Sequence, residues 1–300
     1  MTVDLLSNIM RLLRQRELAS GGFSEQPGEE FRPDATAWSI IALSTGGNNI
    51  QIIGNSSQRL AKEQKKDGRV SITADYPQAY WPTALTILAW HGNPSYQEAH
   101  SRAVDFLLST YGNHSPRQGD SPVSHDTSIP GWPWVNATHS WVEPTAMALL
   151  ALRLSGNTDH PRARQAVLLL LDRQLPGGGW NYGNTKVFGQ ELRPMPASTG
   201  LALQALAGRA EHAEVEVSLS YLESIIDNTR TPLSLAWGLL GLSAWGKRPR
   251  HAQELIAAAL GRQELLGDYP TTHLGLLLLA LTAENGLLGV KTVLIGECRD

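Results

Sequence analysis

PGWPWVNATHSWVEPTAMALLALRLSG, residues 130–156, joins two kinds of sequence. The first half is a loop rich in proline, glycine and aromatic rings, carrying Trp132, Trp134 and Trp141. The second half, from Glu143–Pro144 to Gly156, reads as a helix. Pro144 stands at the first helical position, where a missing N–H costs nothing, and Ser155-Gly156-Asn157 supplies a left-handed stop. The helix is apolar nearly all round, which predicts burial on most of its faces.

The same helix recurs. PDATAWSIIAL (33–43), WPTALTILAW (81–90), EPTAMALLAL (143–152), ASTGLALQAL (197–206), LSLAWGLLGL (233–242) and THLGLLLLAL (272–281) align on Thr36, Thr83, Thr145, Thr199, Leu235 and Leu274. The residue after each anchor is Ala or Gly (Ala37, Ala84, Ala146, Gly200, Ala236, Gly275), which predicts close approach of a neighbour there. Recurrence every few tens of residues marks an array of supersecondary units. Polar, amphipathic helices fall between the apolar ones, at about residues 3–18, 56–66, 96–109, 161–174, 211–227 and 250–265, by helical spacing. No stretch reads as a strand. The unit is outer helix, glycine-rich loop, inner helix, and it occurs six times.

The loops share a pattern too. QLPGGGW (174–180), QKKDGRV (64–70) and QELLGDY (263–269) fit Q-x-x-x-G-x-(large apolar or aromatic); QRELASGGF (15–23) is a longer version, and the loops before 145 and 235 are degenerate. The Gln is expected to bond orphan groups at the end of the outer helix, the Gly to allow a sharp reversal, and the aromatic to pack between units.

These loops resemble the QW motif of the squalene–hopene cyclase and prenyltransferase repeat family over roughly residues 10–285. The resemblance implies an all-α fold: a single α/α toroid of six parallel inner helices surrounded by six outer ones. It covers residues 1–300 as one domain, with 286–300 a short tail. The helical repeat alone would also suit an open solenoid or a glycosidase-type six-hairpin toroid; the QW-like loops favour the first family. The resemblance implies an enzyme acting on an isoprenoid or other apolar substrate in a central Trp-lined cavity. Two departures stand out. The D-x-D-D motif of alkene-protonating cyclases is absent, its nearest string being VSHDTS (123–128) with His125 in an acid's place. The zinc set of protein prenyltransferases is absent as well, because the only cysteine is Cys298, outside the repeats. No metal and no cofactor are implied. The alternative is a non-catalytic toroid that binds a lipid or a protein.

Composition narrows the partners. Hydrophobic residues are 42% and charged residues 18%, which excludes a disordered chain. A net charge of −3 without a basic block argues against nucleic acid. The start MTVDLLSNIMRLLRQ lacks the pattern of a secretory signal, so a cytoplasmic location is expected. The expected partner is an apolar small molecule, with or without an anionic head. Contact with a membrane surface or a partner chain is compatible with this.

If the inner helices are parallel, their six positive ends share one mouth. Arg32, Arg193 and Arg230 precede inner helices there and would hold an anionic head. Glu143 is the first candidate acid or base, with His139 as its partner and Asp34 second. Trp81, Trp132, Trp134, Trp141 and Tyr182, in or beside the mouth loops, are the candidates to shape the substrate pocket. Helix ends and arginines lower a carboxyl pKa and burial raises it, so the sequence leaves the protonation of the acids open.

Overall fold

In a computed structural model that describes residues 2–46, 49–116 and 123–289, the chain is an α/α toroid. Cys298 lies outside the described residues. The inner helices are α2 (Pro33–Leu43), α4 (Pro82–Trp90), α6 (Val142–Leu154), α8 (Pro196–Leu206), α10 (Pro232–Ala244) and α13 (Thr271–Thr282). Around them lie α1 (Thr2–Arg14), α3 (Ile50–Glu63), α5 (Gln97–Ser109), α7 (Pro161–Asp172), α9 (His212–Ile225) and α11 (Ala252–Gly261), the last followed by the single turn α12 (Gln263–Leu266). Each inner helix packs on the next in chain order, and α13 returns to α2, so the ring is closed. The outer helices α3, α5, α7, α9 and α11 each pack on the inner helix before them, while α1 covers α13, the inner helix at the far end of the chain.

The anchor threonines explain why the loops and inner helices repeat together. Thr36 Oγ1 accepts from the Phe23 amide (2.9 Å), Thr83 from Val70 (2.9 Å), Thr145 from Trp132 (3.0 Å) and Thr199 from Trp180 (2.9 Å). Each threonine thus pins the large residue that ends its loop. The aromatic then donates to the outer helix before it: Trp132 Nε1 to Leu107 O (2.9 Å), Trp180 Nε1 to Leu170 O (2.6 Å) and Tyr269 OH to Ala259 O (2.7 Å). The loop before α6, degenerate by sequence, makes the same two contacts through Trp132.

Two of the loop glutamines do something other than the sequence suggests, while Gln263 accepts from the Tyr269 amide of its own loop (2.9 Å). Gln64 Nε2 donates to Ala99 O of α5 (2.8 Å), and Gln174 Nε2 to Ser218 Oγ of α9 (2.7 Å). These two tie the loop to the next unit rather than to the end of their own helix. Gly178, in the left-handed region at φ 89°, lies so close to α9 that a Cβ would stand 2.6 Å from Val217 O. Small residues after the anchors act as predicted. A Cβ on Gly200 would collide with the backbone carbonyl of Trp237, and one on Gly241 with that of Gly200, so α8 and α10 touch backbone to backbone.

The expectation of no strand is corrected by a short hairpin, Lys186–Val187 paired antiparallel with Gln190–Glu191. Its turn residues Phe188 (φ 47°) and Gly189 (φ 79°) both have positive φ, the requirement of a tight two-residue hairpin turn.

Candidate functional site at the ring mouth

Helix geometry fixes which side chains face the axis. At about 100° per residue, positions two before and two after an anchor point roughly opposite to it. The anchors face the outer loops, so these positions face inward. The layer nearest the mouth is Asp34, Trp81, Glu143, Ala197, Leu233 and Thr272. The next layer is Trp38, Leu85, Met147, Leu201, Trp237 and Leu276, all buried. Trp38 and Trp237 meet edge to face across it, with centroids 5.5 Å apart at 77°. The expected central cavity is thus closed one layer down by an apolar, Trp-bearing floor, and the acids stand above it.

On the α2–α13 side, Asp34 is 4% exposed and does not cap its helix. Arg32 grips it bidentately, Nε to Oδ1 at 3.0 Å and a terminal nitrogen to Oδ2 at 2.8 Å. Arg32 thus holds Asp34 with two of its nitrogens and is itself part-exposed, lining a cavity with Phe31 and Arg59. Beside them stands Glu25, which the sequence reading missed. Its Oε2 accepts from Thr272 Oγ1 (2.9 Å), and its backbone carbonyl accepts from the Thr271 amide (2.8 Å). Burial, and after it the negative charge of Asp34, push its carboxyl up to about 7, against the opposing hydrogen bonds of Thr272 and the charge of Arg32. The site thus holds an acid fixed by an arginine next to a carboxyl that titrates near neutrality. His273 follows Thr272; burial lowers its pKa, and its Nδ1 is buried without a hydrogen-bond partner among the described residues.

In ring order the α6–α8 pair lies opposite. Glu143 sits in the first turn of α6 and accepts a 2.7 Å hydrogen bond from Ser198 Oγ of α8. Burial raises its pKa, and the Ser198 bond counters this in part. Its hydrogen-bond partner is Ser198, not His139, which corrects the expected Glu143–His139 pair. His139 is exposed and packs on Trp141, centroids 4.2 Å apart. Both line a separate cavity of about 370 Å³ in the loops outside the ring mouth.

The remaining candidates divide. Trp81 and Trp134 are half-buried and meet edge to face at 5.2 Å, forming an aromatic corner at the entrance to α4. Trp132 is 2% exposed, with its indole N–H bonded and Arg162 lying 3.9 Å over its ring; it is the loop's packing residue, and its place in the substrate set is corrected. Tyr182, Arg193 and Arg230 are exposed loop residues. Among the described residues no three His, Cys, Asp or Glu side chains gather as a metal site, and no helix is long and apolar enough to cross a membrane.

No protein-family model matches the chain, and no curated protein matches it in sequence. Solved structures do match in fold. An inactive variant of the α-1,6-mannanase GH76A of Salegentibacter sp. HEL1_6, in complex with α-1,6-mannotriose, superposes with a TM-score of 0.63 at 12% identity, covering 96% of this chain and 100% of that one. A crystal structure of a protein from Actinoplanes gives 0.62 at 16% identity, again over 96% and 100%. The type II terpene cyclase MstE from Scytonema gives 0.60 at 14%, over 94% and 98%. At these identities the likeness is one of fold: this chain shares the α/α toroid of both a terpene cyclase and a glycosidase.

Proposed function

We propose that the protein is an acid–base enzyme working at the mouth of the toroid on an isoprenoid or similarly apolar small molecule. The carrying observation is the Glu25–Asp34–Arg32 cluster. A general acid serves best when its pKa lies near the working pH, and Glu25, held up to about 7, meets that condition beside an Asp34 fixed by Arg32. Glu25 donates the proton. Burial first, and the charge of Asp34 second, raise the Glu25 pKa so that a fraction of the carboxyl still carries its proton at neutral pH. Developing positive charge on the substrate is met by the ring faces of Trp38 and Trp237 below and Trp81 beside. Glu143, across the mouth, takes a proton from the product side, with Ser198 holding its carboxyl in place.

The terpene cyclase neighbour supports this reading through its fold and through a solved complex with geranylgeranyl dihydroxybenzoate, an apolar-tailed molecule. The test is turnover of geranylgeranyl diphosphate, squalene and a non-phosphorylated terpenoid, with α-1,6-mannotriose as the saccharide comparator, followed by mass spectrometry. Glu25→Gln is expected to reduce turnover at least about 100-fold, the usual scale of general acid catalysis. Equal turnover by wild type and Glu25→Gln would remove the assignment. Binding of the terpenoids without turnover would favour the non-catalytic toroid.

A further inference from the structure

The loop cavity beside the mouth has chemistry of its own. It lies between the segment following α5, the segment entering α6 and the loop entering α8, and its volume of about 370 Å³ is within the range (roughly 300–1,000 Å³) that small-molecule pockets occupy. Among its described lining residues are three histidines, one arginine and no carboxylate. Arg173 is 4% exposed. Its guanidinium gives one hydrogen bond to Asp126 O (3.1 Å) and lies 3.5 Å from the Asp172 carboxylate, which is itself engaged by the Asp126 amide at 3.0 Å. A guanidinium carries five N–H donors, so this arrangement leaves donors over. His125 is 8% exposed, and its Nδ1 is buried with no hydrogen-bond partner among the described residues. A buried polar atom left unpaired is costly, so a ligand that bonds it relieves that cost. Trp141, backed by the ring of His139, supplies a flat apolar wall.

We propose that this cavity is a binding site for a small planar organic anion, an aromatic carboxylate in class. Arg173 and His125 Nδ1–H hold the carboxylate, and the aromatic body lies against Trp141. A carboxylate suits these donors because it accepts from both without needing one of its own. The site stands apart from Glu25 and Asp34, and its occupancy does not depend on the acid chemistry proposed for them.

The test is calorimetric titration of the intact protein with sodium benzoate, benzamide and inorganic phosphate. Benzoate is expected to bind saturably at one site per chain, and benzamide and phosphate at least about tenfold more weakly, because each lacks one half of the recognition. His125→Ala is expected to weaken benzoate about tenfold or more, and Asn184→Trp, which fills the cavity from its lining, to abolish binding; circular dichroism checks that both fold. Glu25→Gln is expected to leave benzoate affinity unchanged, which separates this site from the mouth. Absence of saturable benzoate binding, equal affinity for benzamide or phosphate, or an unchanged affinity in a folded His125→Ala protein would each overturn the proposal.

Discussion

Glu25 carries most of the chemistry at the scale of single residues, and it fixes the sign of two pH effects. Its folded pKa, about 7, lies above its ordinary 4.5. The folded chain therefore holds the proton more tightly than the unfolded chain does. The stability this gives is fully present below pH 4.5 and is lost as pH rises through 7. Glu25→Gln is expected to flatten that fall in a series of thermal melts between pH 4 and 8; a profile identical to wild type would contradict it. In the same window the proposed acid activity should decline as Glu25 ionises. Because the charge of Asp34 helps raise Glu25, Asp34→Asn should bring the Glu25 pKa down, which carbon-detected NMR titration of the side-chain carboxyl reads directly.

Of these residues the sequence made Asp34 and Glu143 legible, since both sit at fixed distance from a helix anchor and so at a computable angle to the axis. Glu25 was not legible. It lies in a loop with no helical register, and its partner Thr272 is 247 residues away. His139 was paired with Glu143 on closeness in sequence, but Glu143 turns along the ring to Ser198 of the next inner helix, a contact that no local spacing contains.

At the scale of elements, the anchor threonine and the loop aromatic form one unit of construction. Thr199→Val keeps the volume and leaves the Trp180 amide buried without its acceptor, so a loss of about 1–3 kcal/mol is expected by denaturant titration. The contact of α8 with α10 is stricter. Gly200→Ala places a methyl group into the backbone carbonyl of Trp237, which no rotamer can relieve, and a loss of about 3 kcal/mol is expected from the same measurement. Inner helices were readable from sequence because burial on all sides leaves an unbroken apolar run, and five of the six helices carry Pro in their first turn. Outer helices were less so. The start of α3 lies six residues earlier than its pattern suggests, at Ile50, because Gln51 and Asn55 face solvent and leave no stripe. The hairpin at 186–191 is two residues a side, too short for alternation to show.

For the whole molecule, closure is the determining property. Between α13 and α2 the joint is made by Glu25 bonding Thr271 and Thr272, by Arg16 donating to Tyr269 O at 3.3 Å, and by α1 covering α13. Ile9 and Leu13 of α1 are fully buried. Removing residues 1–14 is therefore expected to lower the midpoint of thermal unfolding by more than about 10 °C and to broaden the transition in calorimetry, because the last inner helix loses its cover. Removal that left a sharp transition at the original temperature would show that α1 is dispensable to the ring. The toroid was foreseeable from six equal starts. Which outer helix would serve the last inner one was not, since the unit read along the chain assigns α1 to α2.

The pairing of α1 with α13 also sets an order of events in time. Five of the six outer helices find their inner partner in the adjacent stretch of chain, by closing a short loop. α1 finds its partner only after nearly the whole sequence has been made, and closure of so long a loop is both late and slow. Until then α1 exposes a row of apolar side chains with nothing to cover, and during synthesis a nascent chain carries that exposed face for most of its length. Of the ring's helices, α1 is thus the earliest made and the last to find its place, and the span in which it waits is the span in which the ring is most open to misassembly.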